Sequence, residues 1–391
     1  MIRRPPRSTP SNSSAASDVY KRQAMKGTDE SVRLAAIAAA AKLGKDKSIV
    51  ALVAALANGD AERSAARREL RRLPGPKASA LIAARIASAS PRVRGELLGL
   101  LAARGASEHL PLVLKHTADE DASVRIAAME AAGTLGNTGT VPKLVELLKA
   151  APDARHRDAA EKALEALCRK VRNPDRTAKP LLEALEGSSV EVRRALLRVL
   201  GKVPADAALE AIRRALKDDN DTVRYTALRA IAGWADERAA DDLLALAKNA
   251  SNIKNHALTL QGFIRVVGDS RKLTSEEKVA KLRAAVELAR RADEKKQALG
   301  KLRNIHTPQA LALVAECMDD KPIAQEAASA AVYIAGKMKV EAEDQSSVVL
   351  SAMAKVLKVA ESDRLRKEAH KVASKHKLVS SKPGEGGPKK E

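Results

Sequence analysis

One dipeptide recurs along this chain about every 31 residues, and this recurrence limits the possible folds more than any other feature. The anchor positions, which hold Val-Arg or a weaker equivalent, begin at residues 32, 62, 93, 124, 156, 192, 223, 254, 294, 323 and 365. Most intervals between successive anchors are 29 to 32 residues, and three are longer, at 36, 40 and 42. A fixed period of this length is typical of a modular array in which each unit packs against its neighbours.

The columns around the anchors predict one capped amphipathic helix per unit. Three residues before the anchor, nine of eleven positions hold Asp, Ser or Asn, including Asp121 and Ser251, whose side-chain oxygens can accept the free N–H groups of a first helical turn. Four residues after the anchor every position holds Ala or Leu, which forms a helical stripe with the anchor itself. Gly105 and Gly136 stand where a left-handed glycine would end the helix.

A second amphipathic segment precedes each capped helix, for example VPKLVELLKA at 141–150. Because one helix pair cannot bury its apolar stripe alone, neighbouring pairs must stack. The sequence therefore predicts an all-α fold, an α-solenoid of about ten to eleven helix pairs in one curved superhelix over residues 24–376. We expect the arginine of each anchor to pair with an acidic residue of the turn before it, such as Asp121 or Asp221.

Two stretches carry a resemblance to a known family: DASVRIAAMEAAGTLGNTGTVPKLVELLKA and SSVEVRRALLRVLGKVPADAALEAIRRALKDDNDTVRYTALRAIAGW. They resemble bacterial HEAT repeats of the phycobilisome-lyase-like type, and the resemblance covers residues 29 to about 375. Residues 241–320 are similar to arrays in planctomycete-like bacteria. The resemblance implies that such an array is often part of a larger exported protein. It therefore leaves the compartment open between the cytoplasm, which is the default, and export.

The two ends of the chain differ from the array in composition. Residues 1–23, MIRRPPRSTPSNSSAASDVYKRQ, resemble a translated sequencing-adapter read-through, and the alternative is a natural basic tail. Residues 377–391 include a run rich in Gly, Pro and Lys and are predicted to be a disordered basic tail. The predicted array, residues 24–376, lies between these ends.

Positive charge is concentrated in one part of the array. The formal net charge is +21, and residues 61–104 alone carry ten basic and three acidic side chains. Like charges four residues apart on a helix repel each other, so an anionic partner would relieve that repulsion. The alternative is a basic face that is only solvated and binds no partner. Arg63, Arg67 and Arg71 are expected along one exposed row of the helix. The candidate anion- or partner-binding face consists of seven arginines: Arg63, Arg67, Arg68, Arg71, Arg72, Arg92 and Arg94.

The motifs of common enzyme and metal sites are absent from the sequence. The two cysteines, Cys168 and Cys317, stand far from each other and from any His or Cys cluster. The longest uncharged apolar stretch, 48–59, is too short to cross a bilayer. We therefore predict no catalytic residue, no metal or cofactor site, and no membrane insertion. An enzymatic role, implied by bilin-lyase and DNA-glycosylase relatives of such repeats, would need a pocket that this aromatic-poor chain has few residues to build.

These observations predict a non-catalytic scaffold for protein–protein interaction, a monomeric array whose partner is acidic. The alternative is sequence-independent binding to a nucleic-acid backbone through the basic face around residues 63–94. Aromatic residues make up 1% of the chain, which argues against recognition of unpaired bases by stacking.

Overall fold

The computed structural model describes residues 24–25, 29–43, 46–170, 172–339 and 342–380, and these residues form 21 α-helices without a β-strand. The chain divides after Ala207 into two compact units. The predicted tail at 1–23 lies outside the described residues, and so does the predicted tail at 377–391 except for residues 377–380. Helical structure extends to Ser380, past the predicted array boundary at 376.

The first unit contains eleven helices and the start of a twelfth. They are α1 (Glu30–Leu43), α2 (Asp46–Ala55), α3 (Asp60–Arg72), α4 (Pro76–Ala83), α5 (Pro91–Ala103), α6 (Leu110–Lys115), α7 (Ala122–Leu135), α8 (Val141–Lys149), α9 (Ala154–Cys168), α10 (Pro174–Leu185) and α11 (Val190–Leu200). Helix α12 (Asp206–Ala215) begins just before the boundary between the units.

The second unit contains the other helices. They are α13 (Asp221–Ala232), α14 (Ala240–Lys248), α15 (Ile253–Asp269), α16 (Ser275–Leu288), α17 (Ala292–Leu302), α18 (Pro308–Cys317), α19 (Ala324–Lys337), α20 (Glu343–Val359) and α21 (Asp363–Ser380).

Helices of successive pairs pack side by side within each unit. In the first unit α3 packs on α5, α5 on α7 and α7 on α9, while in the second α15 packs on α17 and α17 on α19. All the odd-numbered helices carry or directly follow an anchor, and the Ala and Leu stripe faces inward, as with Ala128 and Leu164, which are fully buried. The predicted all-α stack of helix pairs is confirmed.

Most of the predicted helix caps are present. The carboxylate of Asp121 accepts the N–H groups of Ser123 and Val124 at 2.8 and 3.3 Å, and Asp153 and Ser189 cap their helices in the same way. These bonds satisfy donors that a helix leaves free at its start. Gly105 has the expected positive φ of 67°, whereas Gly136 has a φ of −68° and is extended, so its predicted left-handed conformation is wrong.

One unit is shifted by a residue relative to the prediction. Asn252 caps α15, where Ser251 was expected, because its side chain accepts the N–H of Asn255 at 2.8 Å. The shift moves the buried stripe onto Thr259 and Phe263, which are both fully buried. Lys254-Asn255 is therefore one residue out of register as an anchor.

Four of the anchor arginines, Arg63, Arg94, Arg125 and Arg224, bind main-chain carbonyls of the turn before their own helix. Arg125 donates to the carbonyl oxygens of Asp119 and Glu120, and Arg224 donates to those of Asp218 and Asp219. These oxygens lie in the turn between the two helices of a pair, so the arginine ties that turn to the helix that follows it. The expected pairing with an acidic residue holds for Arg224, which also contacts Asp221, but the described residues show no such contact between Arg125 and Asp121.

His256 takes the place of the arginine in the shifted unit. Its ring nitrogen Nδ1 lies 3.0 Å from the carbonyl oxygen of Ala247. The carbonyl contact therefore recurs even where the residue type changes.

Candidate partner-binding groove

Helices α3 and α5 and the first turn of α7 line an open groove of about 720 Å³. Arg67 and Arg71 lie one turn apart on α3, and Arg92 lies in the first turn of α5. The structure thus brings together three of the seven arginines expected at this face. We call this feature the arginine groove.

Two glycines of α5, Gly95 and Gly99, form part of the groove lining one turn apart. A methyl group at Gly99 would meet no atom within 4 Å, and one at Gly95 would lie 3.5 Å from the methyl carbon of Ala127. Packing therefore does not require glycine at Gly99, although glycine in a helix costs about 1 kcal/mol relative to alanine. No role was predicted for this pair from the sequence, although two glycines four residues apart inside a predicted helix were a visible signal.

The acidic side chains of the groove are already engaged. The Glu96 carboxylate forms an ion pair with the guanidinium of Arg67. The Asp121 carboxylate accepts the hydroxyl of Ser123 and the main-chain N–H groups of α7, and these hydrogen bonds, the one from the hydroxyl first, lower its pKa. Both carboxylates are therefore locally compensated.

Two of the groove arginines keep charge that is available to a partner. Arg71 forms no hydrogen bond or ion pair through its side chain with any described residue. Nη2 of Arg92 lies 3.5 Å from Oδ1 of Asp60, whose side chain is 92% exposed, so solvent screens this contact. The groove therefore presents Arg71 and Arg92 as weakly compensated cations.

Arg63 and Arg94 do not belong to an exposed face. Arg63 is 7% exposed and donates to the carbonyl oxygens of Leu56 and Asn58 at 3.1 and 2.6 Å, so its predicted place in an exposed row is wrong. Both arginines occupy the anchor column that binds carbonyls of the preceding turn. Their charges are used inside the protein.

Arg94 is held by an acid of the following turn. Its Nη1 lies 3.0 and 2.8 Å from the two carboxylate oxygens of Asp119, and its Nη2 donates to the carbonyl oxygen of Ala89. The Asp119 side chain is 5% exposed. Arg94 therefore links α5 to the turn before α7.

Arg68 and Arg72 are exposed but lie outside the groove lining. Nε of Arg68 lies 3.1 Å from Oε1 of its neighbour Glu69. The side chain of Arg72 has no ion pair or hydrogen bond within the described part of the chain. Arg72 is thus an exposed cation like Arg71, on the same helix but outside the groove.

A smaller cavity of about 340 Å³ adjoins the groove and shares Arg71 and Ala103 with it. Arg104 lines this cavity and donates to the carbonyl oxygens of Leu70, Leu73 and Gly75 at 2.7, 2.7 and 3.0 Å. These contacts satisfy carbonyls that the end of α3 leaves free. Arg104 therefore supports the wall of the groove.

Other chemistry is sparse in the described residues. They contain no group of three or more His, Cys, Asp or Glu side chains placed to hold a metal ion. Cys168 and Cys317 are buried, and burial raises the pKa of the Cys168 thiol to about 12. Over the same ranges no helix is long and apolar enough to span a bilayer.

Comparison with known families identifies the repeats. Residues 78–165 and 178–260 match the family model of HEAT repeats, which confirms the predicted resemblance to HEAT repeats over these residues. The chain is also similar to phycocyanobilin lyase subunit alpha of Picosynechococcus sp., with 33% identity over 159 residues. That match covers 37% of this chain and 57% of the relative, so the chain spans little more than half of that protein.

Solved structures share the fold at low sequence identity. The chain is similar to Kap95 in the Kap95:Nup1 complex, with a TM-score of 0.54, 13% identity, and coverage of 94% of this chain and 57% of the other. It is also similar to Kap121p bound to Pho4p, with a TM-score of 0.50, 12% identity, and coverage of 92% and 49%. Identities this low show the fold alone.

Proposed function

We propose that this chain of HEAT repeats is a non-catalytic scaffold that binds an acidic protein partner through the arginine groove. One observation carries the proposal: Arg71 and Arg92 line an open groove while having weak or no acidic partners of their own. Surface cations beside an open concave lining favour a partner of opposite charge and increase its rate of association. The proposed partner is a protein, and nucleic acid is the alternative.

The architecture supports a binding role. Stacked helix pairs hold their side chains on rigid elements, so little conformational entropy is lost when a partner docks. Both of the similar structures are complexes with another protein, Nup1 for Kap95 and Pho4p for Kap121p. This chain shares that fold, and we extend to it the general role of binding another protein.

We propose no catalytic activity for the groove, although the curated relative is named as a lyase subunit. Besides two acids, the lining offers arginine, glycine, proline and aliphatic side chains and the hydroxyl of Ser123, which donates to Asp121, and no His, Cys or Tyr. Its two acids are engaged by Arg67 and by the start of α7. A general acid or base in this groove would first have to give up those contacts.

The test is fluorescence anisotropy of a labelled twelve-residue glutamate-rich peptide at low and near-physiological salt. The first variant combines Arg67→Glu, Arg71→Glu and Arg92→Glu, and we expect its affinity to fall at least tenfold. The matched control makes the same change in net charge at three exposed arginines outside the groove lining. The control substitutions are Arg68→Glu, Arg72→Glu and Arg85→Glu.

Equal losses in the two triple variants would contradict a groove site and indicate a general charge effect. A labelled duplex of about 20 base pairs, titrated in parallel, tests the nucleic-acid alternative. Tighter binding of the duplex than of the peptide at near-physiological salt, with the same dependence on the groove arginines, would replace the proposal with that alternative.

A further inference from the structure

A general scaffold role does not explain the shape of the arginine groove or the spacing of its charges. We propose that its occupant is an extended acidic segment of the partner protein, with carboxylates at alternate residues, and that Glu96 is an internal competitor for that segment. This inference rests on the proposed function, because it names what fills the same groove. Three features carry it: the glycine lining, the arginine spacing and the Arg67–Glu96 ion pair.

The glycine lining favours an extended occupant. Helices α3 and α5 pack directly on each other, and packed helices have axes about 8–10 Å apart. A helix lying on this groove would keep its main chain behind its own side chains, which extend about 5–6 Å from its axis. An extended main chain is narrower, and the absence of side chains at Gly95 and Gly99 lets it approach the surface of α5.

The arginine spacing matches an extended chain. Arg67 and Arg71 are four residues apart, which corresponds to about 6 Å along the axis of α3. Side chains two residues apart in an extended segment point to the same side and are separated by about 6.6 Å. Acidic residues at alternate positions would therefore place one carboxylate at each arginine.

Arg92 lies across the groove on α5 and supplies a third cation. Its contact with the exposed Asp60 carboxylate is long, at 3.5 Å, so a partner carboxylate displaces little when it binds there. Cations of both α3 and α5 are then available to the acidic segment.

Glu96 occupies the place of one partner carboxylate in the free protein. Its carboxylate pairs with Arg67, and its side chain is 22% exposed. A partner carboxylate can bind Arg67 only by displacing Glu96 or by sharing the guanidinium with it. Glu96 therefore lowers the affinity for acidic segments, and a neutral residue of the same shape would raise it.

The experiment uses the full chain and two labelled peptides of equal charge. One peptide alternates Glu and Ala, and the other carries the same number of Glu residues in one block followed by Ala. We expect the alternating peptide to bind at least threefold more tightly. We expect Glu96→Gln to tighten its binding about threefold, and Gly99→Leu, which fills the groove without changing charge, to weaken it at least tenfold.

Gly300→Leu is the matched control for the filled groove. Gly300 lies inside α17 and is exposed, and a methyl group added there would meet no atom within 4 Å, as at Gly99. Both substitutions replace a helical glycine by a good helix former, so circular dichroism is expected to show intact helix in both. Gly99→Ala, which adds one methyl group, serves as the second variant and is expected to weaken peptide binding by a smaller factor.

The outcomes distinguish a wrong occupant from a wrong binding site. Equal affinities of wild type, Gly99→Leu and Gly99→Ala would overturn the extended occupant, and unchanged affinity in Glu96→Gln would overturn the role of Glu96 as a competitor. If the triple groove variant nevertheless lost binding, the scaffold role of the groove would stand. Absence of peptide binding to the wild-type chain at low salt would overturn both.

Discussion

Replacing Asp119 by Asn is predicted to destabilise the first unit by about 2 kcal/mol near neutral pH. Burial of this carboxyl raises its pKa, but hydrogen bonds from His116 and Arg94 outweigh that effect and lower the pKa from 3.8 to about 2. Each unit of pKa difference corresponds to about 1.4 kcal/mol, which gives about 2 kcal/mol of stabilisation from the ionised form. The variant also leaves Arg94 without the charge that compensates it.

The sign of the pH dependence follows from the lowered pKa. The stabilisation is fully present above the unfolded pKa, near 4, and is lost as the pH falls through the folded pKa, about 2. The difference in free energy of unfolding between wild type and Asp119→Asn should therefore fall, by pH 3, to about half of its value at pH 7.

Urea unfolding followed by circular dichroism at pH 7, 5 and 3 measures this difference. Asp46→Asn is the control, because the side chains of Asp46 and its partner Lys77 are 53% and 76% exposed, so their ion pair should contribute less than about 0.5 kcal/mol. A loss below about 0.5 kcal/mol for Asp119→Asn at pH 7, or a loss that stays constant down to pH 3, would refute the reasoning.

Further stability and reactivity measurements test the packing around the repeats. Gly133→Ala should destabilise the folded chain by about 1–3 kcal/mol in urea unfolding, because the added carbon would lie 2.5 Å from Cα of Ala163. Gly99→Ala should instead stabilise the folded chain by up to about 1 kcal/mol. The opposite order would contradict the close approach of α7 and α9. Arg104→Met should cost about 2 kcal/mol by freeing buried carbonyls at the end of α3, and an unchanged unfolding midpoint would contradict that role. Cys168 should resist alkylation at pH 8 until urea unfolds the chain, and rapid labelling of the folded protein, detected by mass spectrometry, would show that the thiol is accessible.

The fold was predictable from the sequence because its determinants are local and repeated. Asp121, Asp153 and Ser189 cap helices at the expected positions, since each needs only its own side chain and the next two or three N–H groups. The predicted helix register was wrong in the unit whose anchor residues, Lys254-Asn255, depart from Val-Arg. Ser251 and Asn252 are both good caps, and the sequence pattern alone did not distinguish them.

The site was predictable only as a basic region. The charge count located Arg67, Arg71 and Arg92 but also included Arg63 and Arg94, whose guanidinium groups are used within the protein. Which arginine turns inward depends on its distance from the helix cap, and that rule emerges only when the carbonyl contacts of several units are compared. The open surface at Gly99 depends on which residues of neighbouring helices approach it, and sequence spacing does not report this.

The most direct test of the arginine groove compares Arg71→Glu with Arg72→Glu. The two arginines are adjacent on α3, both are exposed, and neither side chain has a polar partner among the described residues, but only Arg71 lines the groove. Anisotropy titration with the alternating Glu-Ala peptide at near-physiological salt should show at least a fivefold loss of affinity for Arg71→Glu and less than a twofold loss for Arg72→Glu. Equal losses in the two variants would contradict the groove as the binding site.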